Sequence, residues 1–410
     1  MTTDNSHSTF YGLGIAPGIL EILERMKFKT PTPIQHKAIP IAIEGKDVMG
    51  IAQTGTGKTL AFGIPMIQRL LQGPGRAVIL VPTRELALQV EETLHKIGQP
   101  YNIRTVILIG GMNMMAQIQT VKKSTTRVLI ATPGRLLDHL ERKTVNLNDI
   151  KMVVLDEADR MLDMGFAPQI QRIARFLPKE RQTMFFSATM PEAIVRIAAA
   201  FMKLPVRVEI AVPGTAPEKI SQEVFIVRQD AKRTLLGKIL QQYQGSVLVF
   251  ARTKISAKKI TIALRQMNFS AAEIHSDRSL GQRREALEGF KTGRYRVLIA
   301  TDIAARGIDV KGIELVINYD LPEDSENYVH RIGRTGRAGH EGHAISFAMP
   351  DQGSNVRDIE RLMRATLQVS QHPDVPAVTF DKPVNFSRTF SPPGHRRGGG
   401  GFRGPRRPYR

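Results

Sequence analysis

The sequence predicts an α/β protein in two halves, each a parallel sheet with helices on both faces. Three observations carry this prediction. Short, near-continuous β-branched and apolar runs recur along the chain, which is how a strand covered on both faces reads. Longer amphipathic stretches lie between them, as the crossover helices of an α/β sheet require. The pattern is interrupted at Ala211-Val212-Pro213-Gly214-Thr215-Ala216-Pro217, where two prolines and a glycine in seven residues read as a linker.

Taken in order, residues 1–10 are polar and lack an apolar signal core, so no secretory leader is expected. Runs at 77–81, 128–131, 152–155 and 183–186 predict strands of a first domain, 1–210, with a helix over 84–97. After the linker, 211–217, runs at 247–250, 297–300 and 315–317 predict strands of a second domain, 218–370. Helices are expected there over 255–267 and 355–366. Periodicity fades beyond Gln371, and 371–410 is expected to be a disordered basic tail. Its last 28 residues hold seven arginines, no acid, the run Gly398-Gly399-Gly400-Gly401, and the aromatics Phe386, Phe390, Phe402 and Tyr409. Such a composition cannot build a core, but it suits sequence-tolerant contact with single strands.

Lys and Arg number 58 against 38 Asp and Glu, a formal charge of +20. This balance favours a polyanionic partner, nucleic acid first and an anionic membrane surface second. There is no cysteine, which excludes disulfides, cysteine–zinc sites and a thiol nucleophile. The histidines are scattered, and His340 and His343 form no metal-ligand pattern. No apolar run reaches the ~18 residues of a membrane span.

Two motifs carry chemistry. Ala52-Gln53-Thr54-Gly55-Thr56-Gly57-Lys58-Thr59 follows an apolar stretch and opens a helical pattern. Its glycines let backbone N–H groups converge on phosphate, and the helix N-terminus adds a favourable dipole. Lys58 would reach the β- and γ-phosphates and the Thr59 hydroxyl would hold Mg²⁺. The strict P-loop pattern fails at its first position, Ala52, and a plain glycine-rich turn before a helix is the alternative. Asp156-Glu157-Ala158-Asp159 follows an apolar strand, the place for a carboxylate that organises a metal. Asp156 would bind Mg²⁺, partly through water, and Glu157 would deprotonate the attacking water. The alternative is an acidic helix start that favours the dipole.

These two motifs resemble the ATP motifs of the DEAD-box RNA helicases, and the rest of that family's motif set follows in order. Phe28-Lys29-Thr30-Pro31-Thr32-Pro33-Ile34-Gln35 resembles its adenine-reading motif, with Phe10 as the upstream aromatic. Pro82-Thr83-Arg84-Glu85-Leu86-Ala87, Gly110-Gly111 and Thr132-Pro133-Gly134-Arg135 resemble its RNA-backbone motifs. Ser187-Ala188-Thr189 resembles the motif coupling ATP to unwinding. Ala300-Thr301-Asp302, Arg306-Gly307-Ile308-Asp309 and His330-Arg331-Ile332-Gly333-Arg334-Thr335-Gly336-Arg337 resemble the last two. The likeness spans about residues 10–365 and is nearest to bacterial RhlE-like members.

The resemblance implies two tandem RecA-like domains and an RNA-stimulated ATPase that turns ATP and water into ADP and phosphate. It assigns Phe10, Phe28, Gln35, Thr54, Gly55, Thr56, Gly57, Lys58, Thr59 and Asp309 to the nucleotide. The Gln35 amide can pair both a donor and an acceptor on adenine. Arg334 and Arg337 would be arginine fingers, with His330 bridging the domains and Ser187 and Thr189 linking the Mg²⁺ site to RNA. Arg84, Gly110, Gly111, Thr132, Gly134, Arg135, Thr301 and Arg283 would contact RNA, mainly its sugar–phosphate backbone, with little sequence preference. A cytoplasmic monomer is implied, away from membranes, with RNA-processing or ribosome-assembly proteins as further partners. Rival readings are an ATP-gated RNA clamp or annealing protein, and a DNA helicase on the same core.

Three positions depart from the family pattern. Lys27 stands where glycine usually precedes the phenylalanine, Ser276 replaces a usual glycine, and Leu280 replaces the glutamine of a Gln-x-x-Arg motif that Arg283 completes. Leucine has no hydrogen-bonding group, so a weaker grip on RNA in the second domain is expected.

Overall fold

The computed structural model describes residues 9–52, 55–123, 125–210, 220–305, 310, 312–336 and 341–381. The first sheet holds β1 (Val48–Ile51), β2 (Arg76–Leu80), β3 (Arg104–Leu108), β4 (Thr126–Ala131), β5 (Ile150–Leu155), β6 (Gln182–Ser187) and β7 (Val206–Glu209). The second holds β8 (Ile220–Ile226), β9 (Val247–Phe250), β10 (Ala271–Ile274), β11 (Val297–Ala300), β12 (Leu315–Asn318), β13 (Gly342–Ala348) and β14 (Gln368–Ser370). Their orders are β3-β4-β2-β5-β6-β1-β7 and β10-β11-β9-β12-β13-β8-β14. Each strand of the second sheet occupies the place of its counterpart in the first, so one topology is used twice. The strand pairs are parallel, which gathers the βα turns at one edge, where α/β sheets bind ligands.

The strands are apolar because both faces are covered. In β2, Ala77 and Ile79 enter one apolar cluster while Val78 and Leu80 enter another on the opposite face. The second sheet is packed the same way, with Val247 and Val249 of β9 on one side and Leu248 and Phe250 on the other.

The expected runs match β2, β4, β5, β6, β9, β11 and β12 closely. The less apolar strands went unread: β3 begins with arginine, β7 is Val-Arg-Val-Glu, and β8 carries three consecutive polar residues in Ile-Ser-Gln-Glu-Val-Phe-Ile. The helices expected over 84–97, 255–267 and 355–366 are Arg84–Gly98, Lys254–Gln266 and Gly353–Met363. The tail boundary is corrected, because residues 371–381 are an ordered part of the second domain. Val375 and Phe380 pack on its apolar clusters, Asp374 pairs with Lys238 at 2.7 Å, and Asp381 N donates to Pro350 O. Two well-spaced apolar anchors suffice to seat a segment that shows no periodicity. The linker 211–217 and the tail from 382 onward lie outside the described residues. Among the described residues no helix is long and apolar enough to cross a membrane.

Candidate functional site

A cavity of about 340 Å³ opens where β1 runs into the helix Lys58–Leu71. Phe28, Gln35, Gly55, Gly57, Lys58, Thr59, Asp156 and Glu157 line it. Gly57 has φ +86°, and a Cβ there would meet Gln35 Nε2 at 2.3 Å, so only glycine fits. Lys58 is buried and donates to Ala52 O at 3.0 Å. Ala52 N in turn donates to Ser187 O, which fastens the loop to β6. Gln35 Oε1 accepts from Thr32 N and Gln35 Nε2 donates to Gly57 O, each at 2.9 Å. An amide has two donors and two lone pairs, so one of each is left for a base. Phe10 is placed differently from expectation: 3% exposed in the core of the first domain, it does not line the cavity. The nearby Leu13 and Ile15 are buried in the same cluster and carry this segment onto it. The aromatic that does line the cavity is Phe28, 39% exposed.

Asp156 and Glu157 leave the carboxyl end of β5 and are buried together. Their environments push them apart. Burial raises the Asp156 carboxyl to about 6, against the opposing pull of Lys58. Burial also pushes Glu157 up, but Arg160, Lys58 and Arg334 outweigh it and hold that carboxyl below its usual range. Arg160 Nη1 lies 2.7 Å from Glu157 Oε2. Glu157 sits at φ 54°, a left-handed conformation that costs a non-glycine residue about 1–2 kcal/mol and that collects at functional sites. A buried pair with one ionised member and one readily protonated member can divide base and ligand roles.

Ser187 ends β6 beside these acids. Asp159 N donates to Ser187 Oγ at 3.3 Å, and Ser187 Oγ donates to Thr189 O at 2.7 Å. Asp159 Oδ2 accepts from Ala188 N and Thr189 N at 3.0 and 3.1 Å. One carboxylate therefore ties the Ser-Ala-Thr segment to the acidic turn. From the second domain, His330 and Arg334 face the first across a small cavity that they line with Arg160 and Asp163. Arg334 is 4% exposed and close enough to Glu157 to act on its charge. The neighbouring Arg331 is committed within its own domain, pairing both oxygens of Asp302 at 2.6 and 2.7 Å.

A second cleft runs between the domains, lined by Arg84, Gly110, Thr132, Gly134 and Arg135 from the first, and by Ser276, Arg283 and Ala304 from the second. Two helix N-termini open into it. The helix Arg84–Gly98 is capped by Thr83, whose hydroxyl accepts from Leu86 N at 3.2 Å. The helix Pro133–Glu141 starts at Thr132. Their dipoles and free N–H groups suit phosphates. Gly111, at φ +79°, leaves room for the Arg84 guanidinium, which a Cβ would meet at 2.2 Å. A Cβ on Gly134 would meet nothing within 4 Å, so the space it leaves is open. Arg135 Nη1 donates to Met112 O at 3.0 Å. Beneath it, buried His139 lies 3.2 Å from Gln117 Oε1 and 2.8 Å from Thr144 Oγ1, and burial pushes its ring toward the neutral form. Thr301 stands at the start of the helix Asp302–Ala305. It is not among the residues lining the cleft.

Arg283 reaches across the interface to Glu85, with Nη2 2.8 Å from Oε2. Thr54, Asp309 and Arg337 lie outside the described residues. Sequence reasoning missed Asp159, Arg160 and Glu85 as partners, along with Met164 and Phe166, which give the cleft an apolar wall. Only Arg160 left a readable signal, its i,i+3 spacing from Glu157.

A DEAD/DEAH box helicase model matches residues 32–197, and a helicase conserved C-terminal domain model matches 231–339. The DEAD-box ATP-dependent RNA helicase CshA of Geobacillus kaustophilus is 42% identical over 369 residues, covering 89% of this chain and 79% of its own. The ATP-dependent rRNA helicase RRP3 of Yarrowia lipolytica is 43% identical over 336 residues, covering 81% of this chain and 70% of its own. Among solved structures, S. cerevisiae Dbp5 bound to RNA and ADP BeF3 superposes with a TM-score of 0.80 at 33% identity, covering 88% of this chain and 95% of that one.

Proposed function

This chain belongs to the DEAD-box family of ATP-dependent RNA helicases, and on that premise we propose that it opens short RNA duplexes locally, or remodels RNA–protein complexes, by closing its two RecA-like domains on the RNA backbone. The observation that carries this reading is the meeting of Glu157 and Arg160 with Arg334 at the domain boundary. Each domain alone has half of the phosphate chemistry, so hydrolysis depends on closure.

In this reading Lys58 and the glycine turn hold the phosphates, and Phe28 and Gln35 hold the base. Glu157, kept ionised by Arg160, takes a proton from the attacking water. Arg334 and Arg337 stabilise charge developing on the transferred phosphoryl group. His330 helps to join the domains, and Ser187 and Thr189 relay the phosphate state through Asp159. The residues present fit Mg²⁺: Thr59 and Asp156 line one cavity, and a divalent cation would favour the ionised form of a carboxyl that burial has raised. When bound, Mg²⁺ would neutralise phosphate charge.

On the RNA side, the two helix N-termini, Arg84 and Arg135 favour the backbone over base edges. Thr301 and Arg283 complete the second domain's contribution. Local opening is limited by energy: about six base steps at ~1.4 kcal/mol each cost about 8 kcal/mol, using DNA stacking as proxy. Unwinding rate should therefore fall steeply as duplex length rises, with ATP required for repeated turnover. A flat length dependence would overturn local opening. Equal ATPase stimulation by DNA and RNA would favour the DNA helicase, and annealing without unwinding would favour the clamp. A monomer in the cytoplasm belongs to the same proposal, checked by sedimentation and cell fractionation.

A further inference from the structure

The helix Leu280–Lys291 of the second domain lies against the first. Its opening residue, Leu280, is half-buried, and the surface it packs on is the first domain's apolar cluster, to which the helix Arg84–Gly98 contributes Leu86, Val90 and Leu94. The position of Leu280 is set by its own helix. Ser279 Oγ accepts from Gln282 N, and Gln282 Oε1 accepts from Ser279 N at 3.0 Å, a capping box that fixes the first turn. Three residues on, Arg283 approaches Glu85, but both Glu85 oxygens and Arg283 Nε lack hydrogen bonds. The ionic contact is thus poorly aligned, while the apolar one beside it needs no further partner.

We propose that Leu280 is a closure residue, an apolar contact that draws the two domains together with ATP before RNA arrives. It touches neither nucleotide nor RNA in this role, so it is a positioning residue acting on the domain equilibrium. A hydrophobic contact carries no charge for salt to screen, unlike the arginines around it. The leucine therefore trades a hydrogen-bonding position for a standing preference toward the closed form. The inference rests on the helicase reading, in which closure is the working step.

The chain has no native cysteine, so cysteines at two exposed lysines, Lys179→Cys and Lys259→Cys, accept a dye pair, one on each domain. Single-molecule energy transfer then gives the closed-to-open ratio with ATP alone and with ATP plus saturating polyuridylate. With ATP alone, Leu280→Gln should lower the ratio about five-fold, equal to about 1 kcal/mol at 1.4 kcal/mol per tenfold. Leu280→Met, which keeps an apolar side chain, should hold the starting ratio, and saturating polyuridylate should close all three. An unchanged ratio in Leu280→Gln, or an equal fall in Leu280→Met, overturns the inference alone. So does a rise in the RNA needed for half-closure with the RNA-free ratio unmoved. A chain with native Leu280 that stays open with ATP and RNA together overturns the functional reading as well.

Discussion

Replacing Glu157 with glutamine separates two tasks that this carboxylate performs. Its Oε2 lies 2.7 Å from Arg160 Nη1, with the two side chains only 3% and 4% exposed. Glutamine keeps the shape and an acceptor oxygen but loses the charge. A charge-assisted hydrogen bond worth about 1.5–3 kcal/mol then falls toward a neutral one of about 1 kcal/mol. The fold should lose about 1–2 kcal/mol, a Tm decrease of roughly 2–8 °C for a domain of this size. The chemical loss is larger. Without a base, turnover should drop about 10²–10⁴-fold, or roughly 3–5 kcal/mol on the barrier. Steady-state ATPase at saturating ATP and RNA reads the second effect, and thermal melting without ligands reads the first. RNA retention with ATP should persist, because the phosphate cradle is intact. Arg160→Gln is the control, since it removes the same buried pair from the other side yet leaves the base in place, with Lys58 and Arg334 still acting on its charge. It should keep more turnover than Glu157→Gln. Near-normal ATPase in Glu157→Gln, or a loss no greater than in Arg160→Gln, would refute the assignment of Glu157 as base.

Gln35→Ala should weaken the preference for ATP over GTP by about 1–3 kcal/mol, the range for hydrogen-bond readout of a base. It should also lower Tm slightly by removing the cap of the helix Pro33–Ile43; an unchanged preference in a competition assay would leave base recognition to other groups. Lys27 occupies φ 63°, so Lys27→Gly should relieve ~1–2 kcal/mol of strain against the greater unfolded freedom of glycine. The expected net gain is about 0.5–1 kcal/mol in urea melts, with RNA affinity unmoved because residue 27 lies outside the RNA cleft; destabilisation would contradict it. The Asp156 carboxyl is raised from its ordinary 3.8 to about 6, so its protonated form is favoured by the fold. The stability this contributes is fully present below pH 3.8 and lost as pH rises through 6. In EDTA without nucleotide, the Tm of the native chain minus that of Asp156→Asn should therefore fall between about pH 4 and 7; a constant difference would refute the burial argument.

The architecture was legible where a doubly buried strand is also an unbroken apolar run; buried β10 and β13, interrupted by Glu273 and by His343 and Ser346, were not read. At 247–250 and 297–300 the runs match β9 and β11 to the residue, because double burial demands an unbroken apolar string. The acidic turn and the glycine loop were legible for a related reason. Phosphate and metal chemistry needs its residues within a few positions of one another on a single βα turn. Edge strands such as β7 and β14 carry no such string, since one side of an edge meets water. Pairings between distant segments were closed to sequence reading altogether. Asp159 could have been one more solvated acid, and only the fold sets it against Ala188 and Thr189. Phe10 looked free to stack on a base, until its neighbours carried it into the core. Lys27 looked like a mere departure from the family pattern, and the backbone shows a local strain at the end of a helix. Leu280 looked like a lost hydrogen bond, whereas the structure sets it on an apolar surface of the other domain. Sequence records the chemistry that must be local. Which buried partner a side chain meets depends on the register of two sheets and the docking of two domains, and those are decided by the summed packing of the whole chain.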